Sequence, residues 1–150
     1  MPISNDKEFK AQLGELSAVQ QRQIAARFLQ RAFTLSNDVR VKAALDMAMR
    51  PDITDAELSV VSQAANTARV ESYTQCGKET DWSAQAGHFV AKAAASCVRL
   101  ITEGQNLAWD AAMQVRVART CGAASGDVTD YREAEAQYAI LEEFLSKQGT

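Results

Sequence analysis

Residues 54–76 read TDAELSVVSQAANTARVESYTQC and begin with a pattern that is typical of a helix start. Thr54 and Glu57 have the spacing of a capping box, in which each side chain accepts the backbone N–H of the other residue. Ile53 before the cap and Leu58 at the fourth helical position fit a hydrophobic staple, which fixes the direction of the entering chain. The pattern therefore predicts a long α-helix that begins after Thr54.

Other caps and breakers predict where this helix ends and where its neighbours lie. We expect it to reach about Gln75, because Gly77 can adopt the left-handed conformation that commonly ends a helix. Similar signals, with apolar residues at helical spacing and no sustained period-2 alternation, predict about seven helical segments in all. Two of the other six are predicted near residues 6–13 and 18–35, and a third begins at a cap on Ser36 or Asn37 and ends before Pro51. After the long helix, one segment is predicted from Thr80 or Asp81 to Gly104 and the next from Asn106 to Cys121 and Gly122. A flexible stretch at 122–128 then precedes the last segment, which is predicted from a cap at Asp130 through Leu145.

The composition favours a single all-α domain. The chain has 150 residues, of which 47% are hydrophobic and 23% are charged, and these values are typical of one globular domain. Alanine is the most frequent residue, and the 7 glycines and 2 prolines are too few for a turn-rich all-β protein. We therefore expect one domain over residues 1–150, a helical bundle or short helical array whose small side chains let neighbouring helices approach closely.

The distribution of charge limits the classes of partner. The net charge is −3; residues 1–50 carry 8 basic and 5 acidic side chains, whereas residues 51–150 carry 8 and 14. A dedicated nucleic-acid-binding protein usually has a strongly basic face, so nucleic acid is not expected as a partner. The first residues are polar, and no apolar run approaches the ~18 residues of a membrane span. These features predict a cytoplasmic protein that does not bind membranes.

The cysteines and the single histidine lack the spacing of a metal site. Cys76, Cys97 and Cys121 are an odd number and lie near or within predicted helices, whereas zinc ligands usually come in closely spaced pairs. A zinc site made by the three cysteines with His88, and a Cys–His nucleophile pair, are the alternatives. We predict three unpaired thiols that serve as small apolar packing groups, and no metal or other cofactor.

Trp82, His88 and Trp109 form the candidate binding groove. Each tryptophan opens a predicted helix, where an indole can cover the end of a bundle or line a recognition groove. His88 lies on the same predicted helix as Trp82, and it could be a general base, a ligand or a partly buried packing residue. No catalytic residue is predicted.

Other charged residues are predicted to face solvent. General acid–base catalysis needs two carboxyl groups in different environments of one cleft, and the acidic pairs of the last helix lie away from its apolar stripe. These pairs are Glu133 with Glu135, and Glu142 with Glu143. Three arginines of the second helix could grip a phosphate but are expected on a solvated face: Arg22, Arg27 and Arg31.

A short internal echo links two of the predicted helices. The pattern Ala-Ala-x-x-x-Arg-Val ends at Arg69-Val70 and again at Arg116-Val117, an offset of 47 residues, and a Cys-Gly pair follows each copy. This offset is in the range of helical repeats, but chance matches are frequent in an alanine-rich chain. A duplication and a coincidence both stay open.

Four segments carry a resemblance to a known family: SQAANTAR at 62–69, QAGHFVAKAA at 85–94, AWDAA at 108–112 and REAEAQY at 132–138. Over roughly residues 39–145 they resemble the alanine-rich helical immunity proteins of bacterial polymorphic-toxin systems. The resemblance implies an all-α protein without catalytic activity that neutralises a toxin domain by binding it.

The leading hypothesis is therefore a cytoplasmic, non-enzymatic protein-binding module, and the resemblance suggests a toxin domain as its partner. The acidic balance of residues 51–150 would suit a basic partner such as a nuclease. Two alternatives stay open. One is a small oligomeric structural protein whose alanine-rich faces pack against its own copies. The other is a ligand-binding helical bundle or enzyme with a pocket near Trp82, His88 and Trp109.

Overall fold

The computed structural model describes residues 3–76, 81–99, 106–126 and 132–148, and these ranges form an all-α fold. Its elements in chain order are α1 (Asp6–Gly14), α2 (Ala18–Gln30), a 3-10 turn (Phe33–Leu35), α3 (Val39–Ala48), α4 (Asp55–Cys76), α5 (Trp82–Val98), α6 (Leu107–Ser125) and α7 (Glu133–Gln148). The predicted fold class is confirmed, and no strand occurs within those ranges. No helix that they contain is both long and apolar enough to cross a membrane.

α5 is the central helix of the array. It packs against α4 and α6, and it also contacts α2 and α3. α1 and α7 pack on α6 and on each other. α5 and α6 have the most extensive contact, and small buried side chains on both helices let their axes approach closely. These side chains are Ala93, Ala94, Ala108, Ala111 and Ala112.

The predicted start of α4 is confirmed in detail. The backbone N–H of Glu57 donates to Thr54 Oγ1 at 3.1 Å, and the backbone N–H of Thr54 donates to Glu57 Oε1 at 3.1 Å. Both donors would otherwise lack a partner at the helix end, so the box satisfies them together. Leu58 is buried, and Ile53 packs partly buried against the same core. The first turn of α4 is therefore fixed by local hydrogen bonds and by burial.

The predicted bounds of the second and third helices are wrong. α2 ends at Gln30 instead of residue 35, because Arg31 donates its backbone N–H three residues back to Phe28, which tightens the last turn. A separate 3-10 turn follows. α3 is capped by Asp38, whose Oδ1 accepts the backbone N–H of Arg40 at 2.9 Å. Ser36 and Asn37 are therefore not the cap.

α6 is longer than predicted. Gly122 lies buried inside the helix, which continues through Ser125, so residues 122–125 are not a flexible stretch. The left-handed stop is Gly126, with φ 90°, and its backbone N–H donates to the carbonyls of the preceding turn. The Gly77 stop, the end of the fifth segment at Gly104 and the Asp130 cap lie outside the described residues.

Two predictions of solvent-facing charge are also wrong. Glu133 is 7% exposed, and its Oε1 pairs with Arg31 Nε at 2.6 Å and with Arg119 Nε at 2.8 Å. Arg22 is 9% exposed, and its buried Nε has no hydrogen-bond partner in the described part of the chain. Both side chains lie on helix faces that other helices cover, which the pattern of one helix does not reveal.

Candidate functional site

The two tryptophans of the predicted groove lie in different surroundings. Trp82 begins α5 and is 44% exposed. Trp109 lies in the first turn of α6, where its ring is 6.1 Å from the Phe9 ring and Lys10 Nζ is 5.3 Å from its centroid. Phe9 in turn contacts Phe28. Trp109 is thus part of the packing between α1 and α6.

His88 lies against α4 and is 7% exposed. Its Nδ1 is 2.9 Å from Ser72 Oγ, and the Ser72 hydroxyl donates to the backbone carbonyl of Arg69 at 2.9 Å. Which of the two side chains donates depends on the imidazole tautomer. The contact joins α4 to α5 beside the buried imidazole.

The surroundings of His88 favour its neutral form. Burial lowers the pKa of His88 below its ordinary value of 6.5, and the positive charges of Lys92 and Arg69 lower it further. Tyr73 and Phe89 flank the imidazole, with ring centroids 5.6 and 5.4 Å away. Burial against aromatic rings and nearby cations both penalise an imidazolium.

A cavity of about 240 Å³ adjoins His88 between α3, α4 and α5. Its charged residues neutralise one another: Arg40 Nη2 lies 2.7 Å from Asp38 Oδ2 and 2.7 Å from Glu71 Oε2. The hydrogen bonds from Arg40 lower the pKa of Asp38. Because Arg40 is paired with two carboxylates of the chain, the described lining of this cavity offers an anionic ligand no unpaired cation.

A groove of about 510 Å³ lies over α5, with α4 and α6 as its walls. We call it the α5 groove. Among the described lining residues, three are cationic, Arg69, Lys92 and Arg99, and one is acidic, Asp110. Amides and hydroxyls make up most of the remaining surface: Ser62, Gln63, Asn66, Ser96 and Gln114.

The cations of the α5 groove are incompletely neutralised. Arg69 donates from Nε at 3.0 Å and from Nη2 at 2.8 Å to Asn66 Oδ1, a neutral acceptor on its own helix. Lys92 Nζ lies 5.0 Å from the centroid of the Phe89 ring. Arg99 pairs with Asp110, while its buried Nε has no hydrogen-bond partner in the described residues. One carboxylate thus faces three cations.

The structure does not bring the predicted groove residues together. His88 lines the smaller cavity, and neither Trp82 nor Trp109 lines that cavity or the α5 groove. Sequence reasoning missed Lys92 and Arg99, although their seven-residue spacing places them on one face of a helix. It noted Arg69 only in the internal echo and in the segment 62–69 that carries the family resemblance.

The cysteines of the described residues are buried. Burial raises the pKa of the free Cys97 thiol to about 12, which suits a packing role rather than a nucleophile. Cys121 is also buried, and the side chain of Cys76 lies outside the described part. Within the described ranges, no group of three or more His, Cys, Asp or Glu side chains could hold a metal ion.

Comparison of the chain with protein-family models, with curated proteins and with solved structures finds no match.

Proposed function

We propose that this chain is a non-enzymatic protein-binding module, and that its partner docks on the outer face of α4 and on the adjoining α5 groove. The observation that carries the proposal is the exposure of apolar side chains along α4. Val60 is 71% exposed and Val70 is 51% exposed, on a 22-residue helix that packs mainly on α3 and α5. Exposed apolar side chains beside a polar groove are typical of protein interfaces.

The exposed residues of α4 form a continuous stripe. Val60, Gln63, Thr67 and Val70 are separated by three or four residues, so they lie on one face of the helix, and all four are exposed. Gln63 also lines the α5 groove. The α4 stripe and the groove are therefore parts of one surface that a single partner can cover.

The resemblance of residues 39–145 to immunity proteins supports a toxin domain as the partner. A protein of that kind acts by covering its target, which requires an extended surface and no reaction. The stripe on α4 and the α5 groove together provide a surface of this kind.

The proposal is tested by disrupting the α4 stripe with Val60→Asp and Val70→Asp together. Tagged wild-type and variant chains are used to capture proteins from cells that carry the gene, and each captured protein is then purified for calorimetric titration. We expect one protein to be retained by the wild type and to bind the double variant at least about tenfold more weakly, since buried charge opposes an apolar contact. Toxicity of that protein that the wild type suppresses would establish the toxin-domain partner.

Val39→Asp is the matched control, because Val39 is 80% exposed but lies on α3. The control should bind the captured protein as the wild type does. Equal binding by the control and the double variant would contradict the proposed surface. Sedimentation of the wild type alone covers the oligomeric alternative: a stable dimer that Val60→Asp and Val70→Asp dissociate would assign the stripe to self-association.

A further inference from the structure

We infer that the α5 groove receives an acidic segment of the partner protein, whose carboxylates pair with Lys92, Arg69 and Arg99. This inference rests on the proposed function, because it names what the partner inserts beside the α4 stripe. The occupant contrasts with the basic partner that the overall charge of residues 51–150 favours. Local charge, the shape of the groove and its polar lining support an acidic occupant.

The first step is the local charge. The chain has a net charge of −3, yet the described lining of the α5 groove contains three cations and one carboxylate. Two arginines outside the groove are matched by carboxylates: Arg116 pairs with Asp6, and Arg40 pairs with two acidic residues. In the groove, Arg69 has a neutral partner and Lys92 has an aromatic one. A ligand carboxylate would supply the missing anions.

The second step is the shape of the site. Lys92 and Arg99 are seven residues apart on α5, which at the helical rise is about 10 Å. An extended peptide advances about 3.3 Å per residue, so three or four residues span this distance. Side chains on one side of such a peptide repeat about every 7 Å, which lets two carboxylates reach cations at both ends of the groove.

The third step is the polar lining between the cations. Asn66, Ser96 and Gln114 carry amide and hydroxyl groups that can hydrogen-bond to a peptide backbone. Ala95 is the one residue with an aliphatic side chain among the described lining residues, and none of them has an aromatic ring. This lining matches a polar acidic peptide better than a nucleobase, which usually needs an aromatic platform.

The inference is tested with hexaglutamate as the probe, titrated into the full chain at low ionic strength. Binding is followed by calorimetry and by the proton NMR signals of His88, the only histidine in the sequence. Lys92 and Arg69 lower the pKa of His88, so carboxylates bound beside these cations should raise it. We expect saturable binding that weakens with added salt, together with an upward shift of the His88 pKa.

Two variants with opposite expected effects keep the test independent of folding. Lys92→Gln removes a groove cation and should weaken hexaglutamate binding about fivefold. Asp110→Asn removes the one acidic lining residue and should strengthen binding by a similar factor. Lys7→Gln is the control, because Lys7 is an exposed residue of α1. Its substitution changes the net charge by the same amount as Lys92→Gln. It should leave the affinity close to that of the wild type.

Inorganic phosphate and hexathymidylate are titrated in parallel. Tighter binding of either than of hexaglutamate would overturn the inference in favour of a small anion or a nucleic acid. Absent binding of hexaglutamate, or binding that Lys92→Gln and Lys7→Gln change equally, would also overturn it. These outcomes leave the proposed function intact if the Val60→Asp and Val70→Asp variant still loses the captured partner. If that variant still binds the captured partner as the wild type does, the proposed docking surface on α4 is contradicted, whatever the result with hexaglutamate.

Discussion

The short motif Ala-Ala-x-x-x-Arg-Val contains Arg69 in α4 and Arg116 in α6, yet the two arginines have different partners. Arg116 donates from Nη1 and Nη2 to the two carboxylate oxygens of Asp6 at 2.9 and 2.8 Å, and from Nε to Gln137 at 2.9 Å. Its guanidinium lies 5.7 Å from the Phe9 ring centroid. Arg69 bonds to Asn66 of its own helix and faces the α5 groove.

The difference shows that tertiary neighbours, rather than the local motif, decide what an arginine does. α1 and α7 cover the Arg116 side of α6 and supply an acid, an amide and aromatic rings. No described residue covers Arg69 in the same way, so we take its charge to be available to a partner. We therefore assign a structural role to Arg116 and a binding role to Arg69.

The largest effect is expected from removing the aromatic support under Arg116. Phe9 is fully buried and contacts Phe28, Trp109 and Tyr138. Phe9→Ala should lower the free energy of unfolding by about 3–5 kcal/mol, because it leaves a cavity in the core. Urea unfolding measures the loss. Hexaglutamate affinity of the variant that remains folded should be unchanged, and a parallel loss of affinity would show that the two regions are not separate.

The next effect concerns the anchoring of α4, which carries Arg69. Leu58→Ala should lower the free energy of unfolding by about 2–5 kcal/mol, because Leu58 is buried in the core. Thr54→Ala should lower it by about 1 kcal/mol, because water can partly replace the exposed cap. Urea unfolding of both variants tests this order. A neutral Thr54→Ala would show that the capping box does not stabilise α4.

The starts of α4, α5 and α6 were predictable from sequence because their hydrogen bonds are local, whereas the cap of α3 was misplaced by one or two residues. Thr54 and Glu57 are three residues apart, and Asp81 and Asn106 cap their helices through the residues that follow them. The pairing of Arg116 with Asp6 joins residues 110 positions apart, and Glu133 is buried by contacts with α2 and α6. Such contacts depend on helix packing, which the period of one helix does not specify. For the same reason, the α5 groove could not be predicted.

A smaller effect is expected in the pH dependence of stability, with a separate window for each region. The pKa of His88, beside Arg69, is lowered by burial and by the nearby cations. As the pH decreases, His88 of the unfolded chain therefore binds its proton at a higher pH than His88 of the folded chain. Stability should therefore fall as the pH decreases below about 6.5. His88→Gln should remove this slope. Urea midpoints across the pH range measure it, and an unchanged slope would exclude His88 as its source.

On the Arg116 side, the pKa of Asp6 is lowered chiefly by its hydrogen bonds from Arg116. This contribution to stability is present above the ordinary aspartate pKa and should be lost as the pH falls from about 4 through the lowered value. Asp6→Asn should reduce the loss of stability below about pH 4 and leave the pH dependence that His88 causes below about pH 6.5 unchanged. If Asp6→Asn changed the pH dependence caused by His88 instead, the two regions would not be separate.

The central claim is tested most directly by making one substitution, Arg→Gln, at both positions of the echo and measuring stability and hexaglutamate affinity for each. Arg116→Gln should lower the free energy of unfolding by about 1–2 kcal/mol, after allowance for the half-exposed Asp6, and should leave the affinity unchanged. Arg69→Gln should change stability by less than about 0.5 kcal/mol and should weaken binding about fivefold. Equal losses of stability at the two positions, with no loss of affinity at Arg69, would contradict the account.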